Sequence, residues 1–206
     1  FLKGLGTASR AIGGKSANAI LLSFKLEING KGLTIIGSNQ EISISTTIPF
    51  TADGKELIRD YSLGSTLIQA KVLTEMVRRI EGSEITIEII DNAIAKVDDG
   101  KSSYKILCMD PEEYPDVDFS SSPASFELSA SALSELVDQT AFAALVKDGK
   151  PLLMAINLRC EDGQIIATST DSARLSKKSV PVEGVSRMTA NIPAKTLVEI
   201  ARLPDP

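Results

Sequence analysis

Acid–base or metal chemistry would call for paired carboxylates, and this chain has two pairs that could suggest it. Asp98-Asp99 and Glu112-Glu113 lie in turns and beside a domain boundary, where solvated surface charge is the expected role and acid–base or metal work is not. The sequence has no histidine. That removes Ser-His-Asp and Cys-His nucleophile systems and most zinc sites. Cys108 and Cys160 are far apart and outside any metal-ligand spacing, so they read as reduced, buried thiols of a cytosolic protein. Gly13-Gly14-Lys15-Ser16 has the ending of a phosphate-binding loop. The motif needs a glycine five positions before Gly14, where Ser9 stands, and a strand ahead of it, where a helix is predicted. The usual catalytic toolkit is therefore thin, although carboxylate and lysine chemistry stay open, and no metal or cofactor set is read.

What organises the chain is an internal repeat. The segment from Ala19 to Asn39 has the plan of the segment from Pro151 to Asp171 at a constant offset of 132, pairing Leu21 with Leu153, Leu26 with Leu158, Leu33 with Ile165 and Asn39 with Asp171. The same offset pairs Lys15 with Lys147. A second block, Ile68 to Arg78, matches Ile192 to Arg202 at an offset of 124, so the connection between the blocks is eight residues shorter in the second copy. Length changes of this kind belong in surface loops. The Ser-rich stretch from Ser120 to Pro123 reads as a linker, which gives domains over 1–122 and 123–206.

Each copy reads as helix, strands, helix, strands: an α+β fold of tandem domains with two helices packed on antiparallel sheet. Phe1, Leu5, Ala8 and Ile12 recur at helical spacing, with Gly13-Gly14 as terminator. Strands are predicted at 24–28, 33–36 and 41–48, with Asn29-Gly30 as a hairpin turn between the first two. A helix follows from about Ala70 to Ile80, then strands at 84–90, 93–97 and 103–108. The second copy opens with a strand at about Ser125–Leu128 and has helices over Leu133–Lys147 and Ala194–Arg202. By analogy with the first copy, three strands are expected beyond Pro206 and one before Phe1, and a chain that starts on Phe1 reads as a fragment.

Hydrophobic residues make up 43% of the chain and charged residues 24%, the balance of a soluble globular protein. No apolar run approaches the roughly 20 residues of a membrane span, and no signal-peptide pattern opens the sequence. Net charge is −5. The four predicted helices carry +3, +2, −1 and +1 in chain order, together +5. Arg10, Lys15, Lys71, Arg78, Lys147, Lys195 and Arg202 are therefore the candidates for facing the phosphates of nucleic acid with a mild, non-specific positive field.

The repeat and several local sequences resemble the bacterial DNA sliding clamp family, the β subunits of DNA polymerase III. Those sequences are Asp110-Pro-Glu-Glu-Tyr-Pro, Gly149-Lys-Pro-Leu-Leu, Thr168-Ser-Thr-Asp-Ser-Ala-Arg-Leu-Ser and Ile192-Pro-Ala-Lys. The resemblance runs over essentially the whole chain. It departs at Ala173, where the family usually has His, and at Met154-Ala155, where Asn-Gly or Thr-Gly is common. It implies a non-catalytic processivity factor of the bacterial cytoplasm, with no membrane role. Homodimers of three-domain subunits would encircle duplex DNA, helices inside and sheets outside, and would meet the polymerase, the clamp loader and other proteins through short peptides. Carried over, the peptide pocket comprises Leu153, Thr170, Ser172, Ala173, Arg174, Leu175, Pro193 and Leu197. The alternative reading is a duplicated protein-interaction scaffold that never encloses DNA.

Overall fold

The computed structural model describes residues 1–14, 16–120, 126–147, 150–184 and 187–203. The chain divides into two compact units, Phe1–Val117 and Asp118–Pro206.

The first unit runs α1 (Leu2–Ser9), β1 (Ser23–Asn29), β2 (Gly32–Ser38), β3 (Ser43–Pro49), β4 (Thr51–Ala52), β5 (Lys55–Glu56), β6 (Gly64–Gln69), α2 (Ala70–Arg79), β7 (Thr86–Ile90), β8 (Ile94–Asp98) and β9 (Ser103–Met109). Its main sheet has the order β3-β2-β1-β6-β9-β8-β7, antiparallel throughout. Strand residues point alternately to the two faces. One face sends Phe24, Leu26, Ile35, Ile68, Ala95, Val97 and Ile106 into a core closed by Leu5 and Ala8 of α1 and by Ala70 and Leu73 of α2. Each large side chain so buried contributes about 1.5–3 kcal/mol.

The second unit runs α3 (Ala130–Thr140), β10 (Ala155–Glu161), β11 (Gln164–Thr170), β12 (Leu175–Pro181), β13 (Met188–Pro193) and α4 (Ala194–Ala201). The sheet order is β12-β11-β10-β13, again antiparallel. Leu136 and Val137 of α3 and Leu197 of α4 cover Ile156, Leu158, Ile165 and Ala167.

The repeat holds at the level of single residues. An offset of 132 carries β1, β2 and β3 onto β10, β11 and β12, end for end, and the short 3-10 turn Ala19–Leu22 onto Pro151–Met154. An offset of 124 carries β6 onto β13 and the start of α2, Ala70, onto that of α4, Ala194. The eight extra residues of the first copy belong to the excursion that holds the β4–β5 hairpin. There, the stacked rings of Phe50 and Tyr61, 4.2 Å apart, lie on either side of the hairpin.

Several expectations are corrected. α1 ends at Ser9, well before Gly13-Gly14, because the N–H groups of Arg10, Ala11 and Ile12 turn to carbonyls three residues back and tighten the last turn. α3 begins three residues before Leu133, where the Ser129 hydroxyl caps Ala132 N–H, and ends at Thr140. Lys147 is thus not helical. Phe126 and Leu128 form no strand; their side chains pack on the core, and Ser125 lies outside the described residues. The first hairpin turns at Gly30-Lys31, since Asn29 pairs with Gly32 and its Oδ1 accepts from Lys31 N–H. Cys160 is buried but Cys108 only partly so; both are free thiols.

Candidate functional site

Six of the eight residues expected to bind peptides, Leu153, Thr170, Ser172, Ala173, Arg174 and Leu175, lie at one end of the second unit, around the turn between β11 and β12. Asp171 builds that turn. One carboxylate oxygen accepts from the N–H groups of Ala173 (3.0 Å) and Arg174 (2.9 Å), and the other meets Arg174 Nε at 3.0 Å. Those backbone donors, with the Arg174 charge beside them, hold the Asp171 carboxyl below its ordinary range. Ser172 takes φ +79°, the left-handed region that the turn requires. Thr170 Oγ1 donates to Arg174 O and accepts from Ser172 N–H, which closes the turn from its other side. The Arg174 guanidinium lies 5.7 Å from the Phe142 ring centroid.

Two further segments complete the site. The 3-10 turn Pro151–Met154 carries Leu152, which is 66% exposed, and half-buried Leu153, whose carbonyl accepts from Leu145 N–H at 2.8 Å. Leu175 opens β12 opposite Thr170 and is 67% exposed. A groove of about 500 Å³ runs from Leu152, Leu153 and Thr170 over the sheet face away from the core, past Asn157 and Asn191 to Lys177. Exposed large apolar side chains gathered beside a groove are the ordinary mark of a binding surface.

Leu153 and Thr170 line this groove. Ser172, Ala173, Arg174 and Leu175 are exposed in the adjoining turn and strand start. Pro193 is exposed at the start of α4, paired across the sheet with the groove residue Ala155. Leu197 is a correction: it is 4% exposed and belongs to the core, because α4 turns that position inward. Sequence reasoning missed Phe142, Leu152, Lys177 and the Asn157–Asn191 amide pair. An apolar residue that falls just outside a helix has no periodicity to mark it.

The basic candidates scatter over the helices. Lys71 and Lys195 are exposed in the first turns of α2 and α4, and Arg10 and Arg202 are exposed at the C-terminal caps of α1 and α4. Arg78 pairs with Glu75 at 3.3 Å and Arg202 with Glu199 at 3.5 Å. Lys147 is exposed beyond α3, and Lys15 lies outside the described residues. With the observed helix bounds α1 carries +1, α2 +2, α3 −2 and α4 no net charge, so the helices together hold +1 and not +5. Four of the bases, Arg10, Arg78, Arg79 and Arg202, sit at or near helix C-termini, where the backbone dipole favours a cation.

The repeated α+β units and this groove define a clamp-type fold. Residues 1–118 match the DNA polymerase III beta subunit N-terminal domain, and residues 127–206 match its central domain. The beta sliding clamp of Halalkalibacterium halodurans is 31% identical over 209 residues, a match covering 100% of this chain and 55% of that protein. The DNA polymerase III beta chain of Streptococcus pneumoniae superimposes with a TM-score of 0.90 at 30% identity, over 98% of this chain and 54% of that one. The Bacillus subtilis sliding clamp gives a TM-score of 0.95 at 24% identity, over 99% and 54%. The chain belongs to the DNA polymerase III beta subunit family. It spans about half the length of the relatives it matches.

Proposed function

We propose that the natural protein is a replication processivity factor: a ring that encloses duplex DNA and tethers a DNA polymerase, its clamp loader and other partners by peptides seated in the groove of the second unit. The observation that carries this reading is the groove itself, with Leu153 and Thr170 in its wall, a turn locked by Asp171 beside it, and exposed Leu152 and Leu175 as apolar contacts. Peptide sites of this kind draw most of their affinity from a few buried anchors. The clamp itself performs no chemical step; it keeps the polymerase on its template. Arg10, Lys15, Lys71, Arg78, Lys147, Lys195 and Arg202 are assigned to weak phosphate contacts that allow sliding. Arg78 and Arg202 already pair with glutamates, and the helices together hold only +1, which suits a protein that must not grip.

The test is topological. The full-length natural protein is loaded onto a nicked circular plasmid, and its release is followed before and after the plasmid is cut. A ring remains on the circle and leaves the cut ends. Equal release from both forms would instead support a scaffold that binds proteins without enclosing DNA. The acidic surface of α3, with Glu135 and Asp138, is the observation that keeps this second reading in view. Replacing both Lys15 and Lys147 by Glu is expected to shorten retention on the circle; unchanged retention would remove these two lysines from the mechanism.

A further inference from the structure

Leu153 and Arg174 stand on different segments of the second unit, yet one short stretch of chain holds both. That stretch is Thr140 to Leu145, at the end of α3, and it meets the site at three points. The Ser169 hydroxyl of β11 donates to Thr140 O at 2.5 Å. Leu145 N–H donates to Leu153 O at 2.8 Å. Between these two bonds, the Phe142 ring centroid lies 5.7 Å from Arg174 Cζ. Ala143 and Ala144 are buried, which anchors the stretch, and Ala144 N–H closes the 3-10 turn Ala141–Ala143 on Ala141 O at 3.2 Å. Phe142 itself is exposed and outside the core, so its ring stands on a fixed base without being packing for the interior.

Arg174 is held from two sides. Its Nε donates to Asp171 Oδ2 at 3.0 Å, and the Phe142 ring lies against its guanidinium. Among the described residues, no hydrogen bond or ion pair reaches its two terminal amino groups. A guanidinium carries its donors in one rigid plane, so fixing Nε and one neighbour of that plane orients the rest together. The turn itself does not need the ring. The offset of 132 sets Asn39, Gln40 and Ile42 against Asp171, Ser172 and Arg174, and Arg10 against Phe142. There Asn39 Oδ1 accepts from the N–H groups of Glu41 (2.9 Å) and Ile42 (2.8 Å), and Gln40 takes φ +71°. The same backbone turn thus forms with arginine and isoleucine where the second unit has phenylalanine and arginine. What the ring adds in the second unit is the placement of one cation.

We propose that Phe142 is a positioning residue of the peptide site. It holds the Arg174 guanidinium so that the terminal amino groups donate to an oxygen acceptor of the seated peptide, and it acts through Arg174 alone. The same stretch of chain fixes Leu153, so the apolar wall and the cation keep one spacing. A long side chain held in place before binding loses less freedom when the peptide arrives, which raises affinity without any new contact. The proposal rests on reading the second unit's groove as a peptide site.

The experiment is a double-mutant cycle on the full-length natural protein, read by anisotropy of a labelled Gln-Leu-Ser-Leu-Phe peptide. Phe142→Leu keeps an apolar side chain and removes the ring; it should weaken binding about three- to fivefold. Phe142→Tyr restores a ring and should bind within about twofold of wild type. In an Arg174→Ala background, Phe142→Leu should change affinity by less than about 1.5-fold, since the group it positions is gone. Wild-type affinity in Phe142→Leu overturns the proposal. So does a loss of equal size in both backgrounds, which would make Phe142 a direct contact or a support of the fold. Leu153→Asp separates the two readings. A wild type that binds, a Leu153→Asp variant that does not, and a Phe142→Leu variant without effect would leave the groove standing and remove the positioning role. A wild type that does not bind would remove the groove and the positioning role together.

Discussion

Gly37 and Ser169 occupy the same place in the two units, and they meet the same neighbour in opposite ways. In the first unit β2 runs so close to α1 that a Cβ at position 37 would lie 2.3 Å from the Ala8 carbonyl oxygen. In the second unit the counterpart of Ala8 is Thr140, and the Ser169 hydroxyl donates to its carbonyl at 2.5 Å. Thr140 in turn donates its own hydroxyl to Leu136 O at 2.6 Å. One unit brings helix and strand together by removing a side chain; the other spaces them by a hydrogen bond. Copies of one backbone plan can thus diverge in core chemistry while their strand register stays fixed, because register is set by which face is buried.

The largest test of this comparison is an exchange. Gly37→Ser should destabilise the first unit by about 3 kcal/mol, since neither backbone can withdraw without disturbing the core. Urea unfolding measures it, and a change below about 1 kcal/mol would mean the two contacts are interchangeable. Ser169→Ala should cost about 1 kcal/mol by the same measurement, the loss of one buried hydrogen bond.

Tyr114 gives a smaller signal with a defined pH window. Burial pushes its phenol from 10.0 up to about 12. The folded state therefore favours the neutral form. That contribution is complete below pH 10.0 and is lost as pH rises toward about 12. Tyr114→Phe should unfold at the same urea concentration as wild type near neutrality and show a weaker loss of stability across the alkaline window. Identical alkaline profiles would show that Tyr114 does not sit as described.

Asp171 has the opposite sign. Its carboxyl lies below the ordinary value of 3.8, so its support for the groove's turn is complete above that pH and lost as pH falls through the lower, folded value. Peptide affinity should hold from neutral pH down to the ordinary carboxylate range and fall beneath it, and Asp171→Asn should flatten that acid limb. The smallest effect is expected on α2. Arg79→Ala removes an exposed ion pair with Glu75, 3.8 Å long, and should change stability by less than about 0.5 kcal/mol.

Much of this was legible in the sequence, for reasons the structure makes concrete. The offset of 132 reproduces three strands because alternating burial fixes each residue's face, and the change to 124 marks the surface excursion of the first copy. Helix ends were less legible. α1 stops on backbone hydrogen bonds that no side chain announces, although Ser129 was a readable cap for α3. The charge segregation expected from longer helices shrank accordingly. Leu153 and Thr170 line one groove with Arg174 in the turn beside it, because the Asp171 turn is local in sequence. Leu197 is in the core instead, since it shares the inward face of α4 with Ala194, whereas Pro193 lies outside the helix as its N-cap. The burial of Tyr114 beside Ser38 could not be read at all, as the two meet only through tertiary folding.

The measurement that bears most directly on the function is fluorescence anisotropy of a labelled Gln-Leu-x-Leu-Phe peptide against the full-length natural protein, with Leu153→Asp alongside. Saturable binding in the micromolar range, weakened at least about tenfold by the substitution, is the predicted result. Equal binding by the variant would contradict the assigned groove, and no binding by a folded protein would contradict the tether itself.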